Sequence, residues 1–246
     1  MTTSIEEFSF PAPLSEPMET EAYRCGDKDD PWRLIVFPGT PCRKELFYRF
    51  LRVAPKGIEV IVLSRPGFGR GHKKPILDFK EQAKTARPFL GEKKTIVLGV
   101  SYGGGLALTT ALENPGDVHG VVTVAALVTE PFDYAKALAD LGGHPWVRPL
   151  VPNRLHIVRA EIEGRRAQIG PLWERLDELK VPIEVVHGDF DSLVSLSDAE
   201  RLCEIIERKS GTRPDFDKVP GGTHYLELQY PRRLFSAVER VMARAS

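Results

Sequence analysis

The sequence predicts an α/β fold with a mostly parallel sheet covered by helices on both faces. Three observations carry that expectation. Unbroken apolar runs rich in β-branched residues recur (VIVLS, TIVLGV, VVTVAA and IEVVHG), as strands buried on both faces require. Longer stretches with apolar residues at helical spacing lie between them. No internal repeat or low-complexity tract interrupts the alternation, which is the signature of helices layered on a sheet.

In chain order, strands are expected at 5–10, 19–24, 33–37, 59–63, 95–100, 120–126, 183–187 and 215–219. The first two lean toward alternation of apolar and polar residues and predict an antiparallel hairpin at the sheet edge. Helices are expected at 43–53, 78–90, 102–113, 197–209 and 232–244. Residues 127–182 break the rhythm, with no clear strand. A structureless loop of that length is unusual in a compact domain. Residues 130–170 are therefore read as an inserted helical cap, with 1–129 and 171–246 as the core. Residues 171–180 place Leu172, Leu176 and Leu179 on one helical face and are expected to return to that core.

Composition narrows the possible partners. The chain has 246 residues, within range for one large domain. Lys+Arg and Asp+Glu number 34 each, so the balance offers no basic surface for nucleic acid. No apolar run approaches the roughly 20 residues needed to span a bilayer. The acidic, proline-broken start MTTSIEEFSFPAPLSEPMETE lacks the basic opening and apolar stretch of a signal peptide. Cys25, Cys42 and Cys203 are odd in number and have no CxxC spacing. Neither a disulfide framework nor a zinc site is expected, and a reducing cytoplasm is the expected compartment.

The most informative stretch is Gly99-Val100-Ser101-Tyr102-Gly103, entered by an apolar strand and left by a helical pattern, LALTTAL. A serine hydroxyl is a poor nucleophile unless it is held exposed beside a base. A sharp strand-to-helix turn does this at a strained backbone geometry. Positions 99 and 103 must then lack a β-carbon. Gly104 and Gly105 extend the run, although each glycine inside a helix costs about 1 kcal/mol against alanine. They predict a first helical turn pressed against the sheet. That turn would also aim N–H groups at a developing oxyanion. The alternative is a serine in a glycine-rich turn that does no chemistry. A phosphate loop does not fit, because no G-K-[ST] ending follows.

With that motif in that setting, the chain resembles the α/β-hydrolase family over nearly its whole length. The resemblance implies an α/β-hydrolase fold, a mostly parallel eight-stranded sheet flanked by helices with a short helical cap. It also implies a triad in the chain order nucleophile, acid, histidine. The strand at 183–187 leads into Gly188-Asp189-Phe190-Asp191-Ser192-Leu193-Val194, where the family pattern matches Asp191 as the acid. Asp189 competes from the same turn, and Glu130 or Asp133 could serve in a variant arrangement. Either aspartate could instead only stabilise the turn or cap the helix near Ser197. The implied histidine is His224, in Val219-Pro220-Gly221-Gly222-Thr223-His224-Tyr225, where the glycines let the loop reach over the strand ends. His72, His119, His144 and His156 lack such a setting, and His187, one residue before a tight turn, reads as structural. By triad logic His224 takes the Ser101 proton and returns it to the leaving group, while Asp191 fixes the imidazole tautomer.

Upstream, Phe37-Pro38-Gly39-Thr40-Pro41 is similar to the family's His-Gly-x-Pro loop, with Pro38 where a histidine is frequent. The match implies an oxyanion hole formed by the backbone N–H groups of Thr40 and Tyr102. Pro38 and Pro41 have no N–H, so Gly39 and Thr40 are the donors between them. One such donor is worth about 3 kcal/mol of transition-state stabilisation. Residues 64–71, SRPGFGRG, resemble the family's D-x-P-G-x-G-x-S turn, with Ser64 and Gly71 as departures, and read as a structural turn.

A serine nucleophile argues against the dehalogenation and epoxide opening performed by relatives that use aspartate. The expected reaction is hydrolysis of a small ester, or of a thioester or lactone, through an acyl-enzyme. Tyr102, Phe132, Trp146, Leu193 and Tyr225 are candidate walls of the substrate pocket. No metal or organic cofactor is expected. The expected partner is a small-molecule substrate, with no nucleic acid and no membrane, and the chain is expected to be a monomer or homodimer. The family resemblance also leaves room for a ligand receptor or signalling protein retaining the triad. Carbon–carbon cleavage, peracid formation and release of N-terminal proline are further options, which fold alone does not decide.

Overall fold

The computed structural model describes residues 4–41, 44–68, 75–129 and 153–245. Its strands are β1 (Glu6–Ala12), β2 (Met18–Cys25), β3 (Trp32–Phe37), β4 (Ile58–Leu63), β5 (Lys94–Val100), β6 (Val118–Val124), β7 (Ile183–Gly188) and β8 (Asp215–Val219). They form one sheet in the order β1-β2-β4-β3-β5-β6-β7-β8. The first two make the expected antiparallel edge hairpin, and β2 is also antiparallel to β4. Every other pairing is parallel. The six strands from β4 to β8 therefore end on one edge of the sheet, and the loops that follow them gather there.

Helices α1 (Tyr48–Arg52), α2 (Phe79–Ala83), α3 (Tyr102–Glu113), α4 (Asn153–Gly164), α5 (Arg166–Glu174), α6 (Leu196–Ser210), α7 (Leu226–Gln229) and α8 (Pro231–Arg244) complete the described elements. They cover both faces. The pleat sends Ile35 of β3 and Val97 of β5 toward α3 and α6, where Leu106, Leu202 and Ile206 meet them. Their neighbours Leu34, Val36, Ile96 and Leu98 point the other way, onto Phe50 of α1 and Phe235, Val238 and Val241 of α8. Both faces of the central strands are thus dry, which is why their sequences are continuous apolar runs rather than alternating ones.

Four elements differ from the sequence expectation. Within 43–53, Lys44–Phe47 is a 3-10 helix and only α1 is α-helical. Strand β6 starts and ends two residues earlier than the pattern suggests. Its chain leaves the sheet at Ala125, whose φ is +46°, and Leu127 N–H then donates to the Ser101 carbonyl at 2.9 Å. Within 78–90 only α2 is α-helical; Lys84–Phe89 is a 3-10 helix containing Pro88, which has no N–H to continue an α ladder. The four-residue helix α7 was not anticipated. Of the expected cap, residues 130–152 lie outside the described residues. Helix α5 runs without a break across 170 and 171, and Leu172, Leu176 and Leu179 are buried in the core. Helix α6 opens with a capping box between Ser195 and Asp198, so neither Asp189 nor Asp191 caps it.

Candidate active site

Ser101 sits at the turn between β5 and α3 with φ +53° and ψ −119°, left-handed backbone that a residue with a β-carbon rarely adopts. The flanking glycines make the turn possible. A β-carbon on Gly99 would lie 2.0 Å from the Gly103 carbonyl oxygen, and one on Gly103 would lie 2.2 Å from the Phe37 oxygen. Gly104 and Gly105 are pressed just as closely, against Ala126 and Phe79. The expectation of a first helical turn against the sheet is therefore met on all sides.

Asp191 and His224 come from the loops after β7 and β8. His224 Nδ1 donates to Asp191 Oδ2 at 2.8 Å. The other carboxylate oxygen, Oδ1, accepts from the backbone N–H groups of Leu193 at 2.8 Å and Val194 at 2.9 Å. Burial alone would push the Asp191 carboxyl up, but the His224 hydrogen bond and charge and these two N–H groups together hold it below the usual carboxylate range. Asp189 has a different partner. It accepts from Gly221 N–H at 2.7 Å and ties down the loop that carries His224. His187 is fully buried, with Nε2 3.0 Å from the Val194 carbonyl, and burial lowers its pKa. It reads as a neutral strut beneath the Asp191 turn.

Ser101, His224, Thr40, Leu193 and Tyr225 line one cavity of about 320 Å³. Ser101 is only 5% exposed, so its hydroxyl reaches solvent through that cavity. Among the described residues no hydrogen bond occupies the backbone N–H of Thr40 or Tyr102. Thr40 lines the Ser101 cavity from the β3 loop, and Tyr102 follows Ser101 directly as the first residue of α3. The Tyr102 side chain, by contrast, is no pocket wall. It is fully buried, with its hydroxyl accepting from Gln82 at 3.0 Å and its ring under the Arg65 guanidinium at 4.6 Å. Burial pushes its phenol above the usual range. Phe132 and Trp146 lie outside the described residues, as do Glu130, Asp133, His72, His144 and Cys42. Among the described residues no group of three or more His, Cys, Asp or Glu side chains could hold a metal ion.

Two features went unread in the sequence. The first is Arg65. The turn at 64–68 is structural, as expected, with Phe68 N–H donating to the Arg65 carbonyl at 3.1 Å. Yet the Arg65 side chain is fully buried and pairs with Glu161 of α4, also fully buried. Its Nε donates to the Pro38 carbonyl at 3.0 Å and its Nη2 to the Gly39 carbonyl at 2.8 Å. Thr40 Oγ1 donates to Glu161 Oε2 at 2.6 Å. Three consecutive residues of the β3 loop are thus fixed by one buried ion pair. The second is Glu227 of α7, a buried carboxyl in the wall of the Ser101 cavity. An arginine between a strand and a proline, and a glutamate three residues after His224, were the only local signals.

The arrangement of elements and site has counterparts. A family model described as the alpha/beta hydrolase fold matches residues 33–156. The chain belongs to the α/β-hydrolase fold family. Within it, the chain is 44% identical over 93 residues to the pimeloyl-[acyl-carrier protein] methyl ester esterase of Proteus mirabilis (strain HI4320). That stretch covers 38% of this chain and 36% of the relative. Among solved α/β-hydrolase structures, a lipase-esterase related protein from Clostridium acetobutylicum ATCC 824 is 14% identical with a TM-score of 0.70, over 90% of this chain and 99% of that one. A thermophilic esterase from Thermogutta terrifontis is 18% identical with a TM-score of 0.68, over 97% and 99%. The 2-hydroxy-6-oxo-6-phenylhexa-2,4-dienoate hydrolase of Rhodococcus sp. strain RHA1 is 17% identical with a TM-score of 0.68, over 98% and 100%. These structural likenesses establish the fold. No helix among the described residues is long and apolar enough to cross a membrane.

Proposed function

We propose that this α/β-hydrolase is a serine esterase acting on small esters, with thioesters or lactones as related substrates. In this reading Ser101 is the nucleophile, His224 the base, Asp191 its orienting acid, and the Thr40 and Tyr102 N–H groups the oxyanion donors. The observation that carries it is the Asp191–His224 hydrogen bond at 2.8 Å beside a strained serine that opens into the same cavity. Partial similarity to a methyl ester esterase supports ester rather than carbon–carbon cleavage.

The chemistry runs in two halves. Ser101 Oγ attacks the ester carbonyl carbon as His224 Nε2 takes its proton. The carbonyl oxygen becomes an oxyanion against the two N–H groups, and the C–O bond to the alcohol then breaks as His224 returns the proton to it. Water repeats the sequence on the acyl-enzyme and releases the acid. Asp191, kept ionised by its hydrogen bonds, holds Nδ1–H and so presents Nε2 to Ser101. Among the described residues Ser101 Oγ has no hydrogen-bond partner. Catalytic hydrogen bonds commonly tighten only when substrate binds, and the Ser101–His224 contact is expected to form then. Two described cysteines, Cys25 and Cys203, are free and buried, which fits a reducing cytoplasm.

The test is labelling with a fluorophosphonate and turnover of p-nitrophenyl acetate. Labelling is expected at Ser101, absent in Ser101→Ala and sharply slowed in His224→Ala. Asp191→Asn is expected to lower kcat by about 10³- to 10⁴-fold. A receptor that retains the triad would label but turn over very slowly. Parental turnover by Ser101→Ala would sink the reading.

A further inference from the structure

The wall of the Ser101 cavity contains one carboxyl that the proposed mechanism does not use. Glu227 lies three residues after His224, in α7, and is 3% exposed. Its Oε2 is buried without a hydrogen-bond partner. Glu59, Glu161 and Glu184 are buried as deeply, and each meets an arginine: Arg33, Arg65 and Arg240. Among the described residues Glu227 has no such partner, and no described lysine or arginine lines the cavity. His224 is the basic side chain there, and as a general base it must be neutral when substrate arrives. Most of the remaining described lining, including Leu46, Phe47 and Leu228, is apolar.

We propose that Glu227 is a specificity-determining residue that binds a protonated amine, so that the preferred esters carry an ammonium group in their acyl or alcohol part. This rests on the esterase reading of the same site. The chemistry is complementary on both counts. An N–H donor satisfies the orphaned Oε2, and the positive charge lets a buried carboxyl ionise without a protein counter-ion. Burial pushes the Glu227 carboxyl up to about 7, against its own backbone N–H and the charge of His224, so binding of a cation is coupled to loss of its proton. Substrates ending in a carboxylate are disfavoured by the same group. The cavity volume, about 320 Å³, is at the small end for ligand sites and sets a short chain between ester and amine.

The experiment uses isosteric pairs that differ by one atom. On the alcohol side these are 2-(dimethylamino)ethyl acetate and 3-methylbutyl acetate. On the acyl side they are p-nitrophenyl 3-(dimethylamino)propanoate and p-nitrophenyl 4-methylpentanoate. The ratio of kcat/KM for amine over isostere is measured in the parent, Glu227→Gln and Glu227→Leu; dividing parent by variant cancels intrinsic reactivity. A quotient of about tenfold or more in either pair is expected, the scale of a hydrogen bond to a charged group. Quotients near one in both pairs, in variants that still label at Ser101, overturn the proposal. Should neither variant label, the parent decides alone. Dimethylaminoethanol or 3-(dimethylamino)propanoate should then protect Ser101 from the phosphonate at about tenfold lower concentration than its isostere; equal concentrations for both pairs overturn the proposal. A parent whose Ser101 never labels removes the esterase reading itself, and this one with it.

Discussion

Among described residues other than glycine, only Ser101 and Ala125 have positive φ, and they are neighbours in space. Ser101 N–H donates to the Val124 carbonyl at 2.8 Å, and the Ser101 carbonyl accepts from Leu127 on the far side of Ala125. Two strained turns at adjacent strand ends therefore brace each other. Glu227 carries a different kind of cost. Burial raises its pKa from 4.5 to about 7, against the opposing influence of its own backbone N–H and of His224. The folded protein then holds this proton where the unfolded chain has lost it, so stability falls as pH rises between those two values. The loss amounts to about 3 kcal/mol above pH 7. Glu227→Gln is expected to resist urea better than the parent at pH 8, with the gap closing toward pH 4. A gap that stays constant across that range would contradict the burial account. Nothing local in the sequence revealed this carboxyl as buried. What buries Glu227 is its packing against other elements.

The strand–turn–helix from β5 to α3 was the most legible element, because its constraints lie within a few residues of one another. Gly99 and Gly103 are required by backbone contacts that the motif itself implies. Gly103→Ala is expected to destabilise the fold by about 3 kcal/mol or more, since the new methyl meets the Phe37 carbonyl rather than a movable side chain. Activity should fall as well, because Phe37 leads into the Thr40 loop. Gly170→Ala is the control. It lies inside α5 with nothing but its chain neighbours near the added carbon, and should change stability by no more than about 1 kcal/mol, its helix propensity offset by Pro171 next to it. Equal effects at the two sites in urea melts would refute the close-contact argument. The loops after β7 and β8 were legible only in part. Residue pattern favoured Asp191 over Asp189, but it took geometry to pair Asp191 with His224 and Asp189 with Gly221. The α2 segment departs from expectation because apolar spacing does not distinguish an α-helix from a 3-10 helix that contains a proline.

Across the whole molecule, the Arg65–Glu161 pair joins the loop side of the sheet to α4 over 96 residues of sequence. No window along the chain could reveal such a contact. Removing Arg65 strips the guanidinium from a fully buried Glu161 carboxylate, which costs about 3–5 kcal/mol. Arg65→Met is therefore expected to lower stability by that amount in urea unfolding, and Arg65→Met with Glu161→Leu to regain most of it. Both variants should still lose kcat on p-nitrophenyl acetate, because the Pro38 and Gly39 carbonyls lose their guanidinium donor. A single variant as stable as the parent would mean that the pair is not the clamp its geometry suggests. Neither the Arg65–Glu161 pair nor the Glu227 side chain belongs to the two apolar cores, although Leu226, beside Glu227 on the same four-residue helix, packs into one of them. That placement has an evolutionary consequence. A glutamate codon becomes a glutamine codon by one base change, and here the change touches no strand and no core side chain. If the proposed role of Glu227 holds, a single nucleotide separates the protein from a neighbour that is more stable at neutral pH and prefers different esters, so substrate range on this scaffold can drift while the architecture stays still.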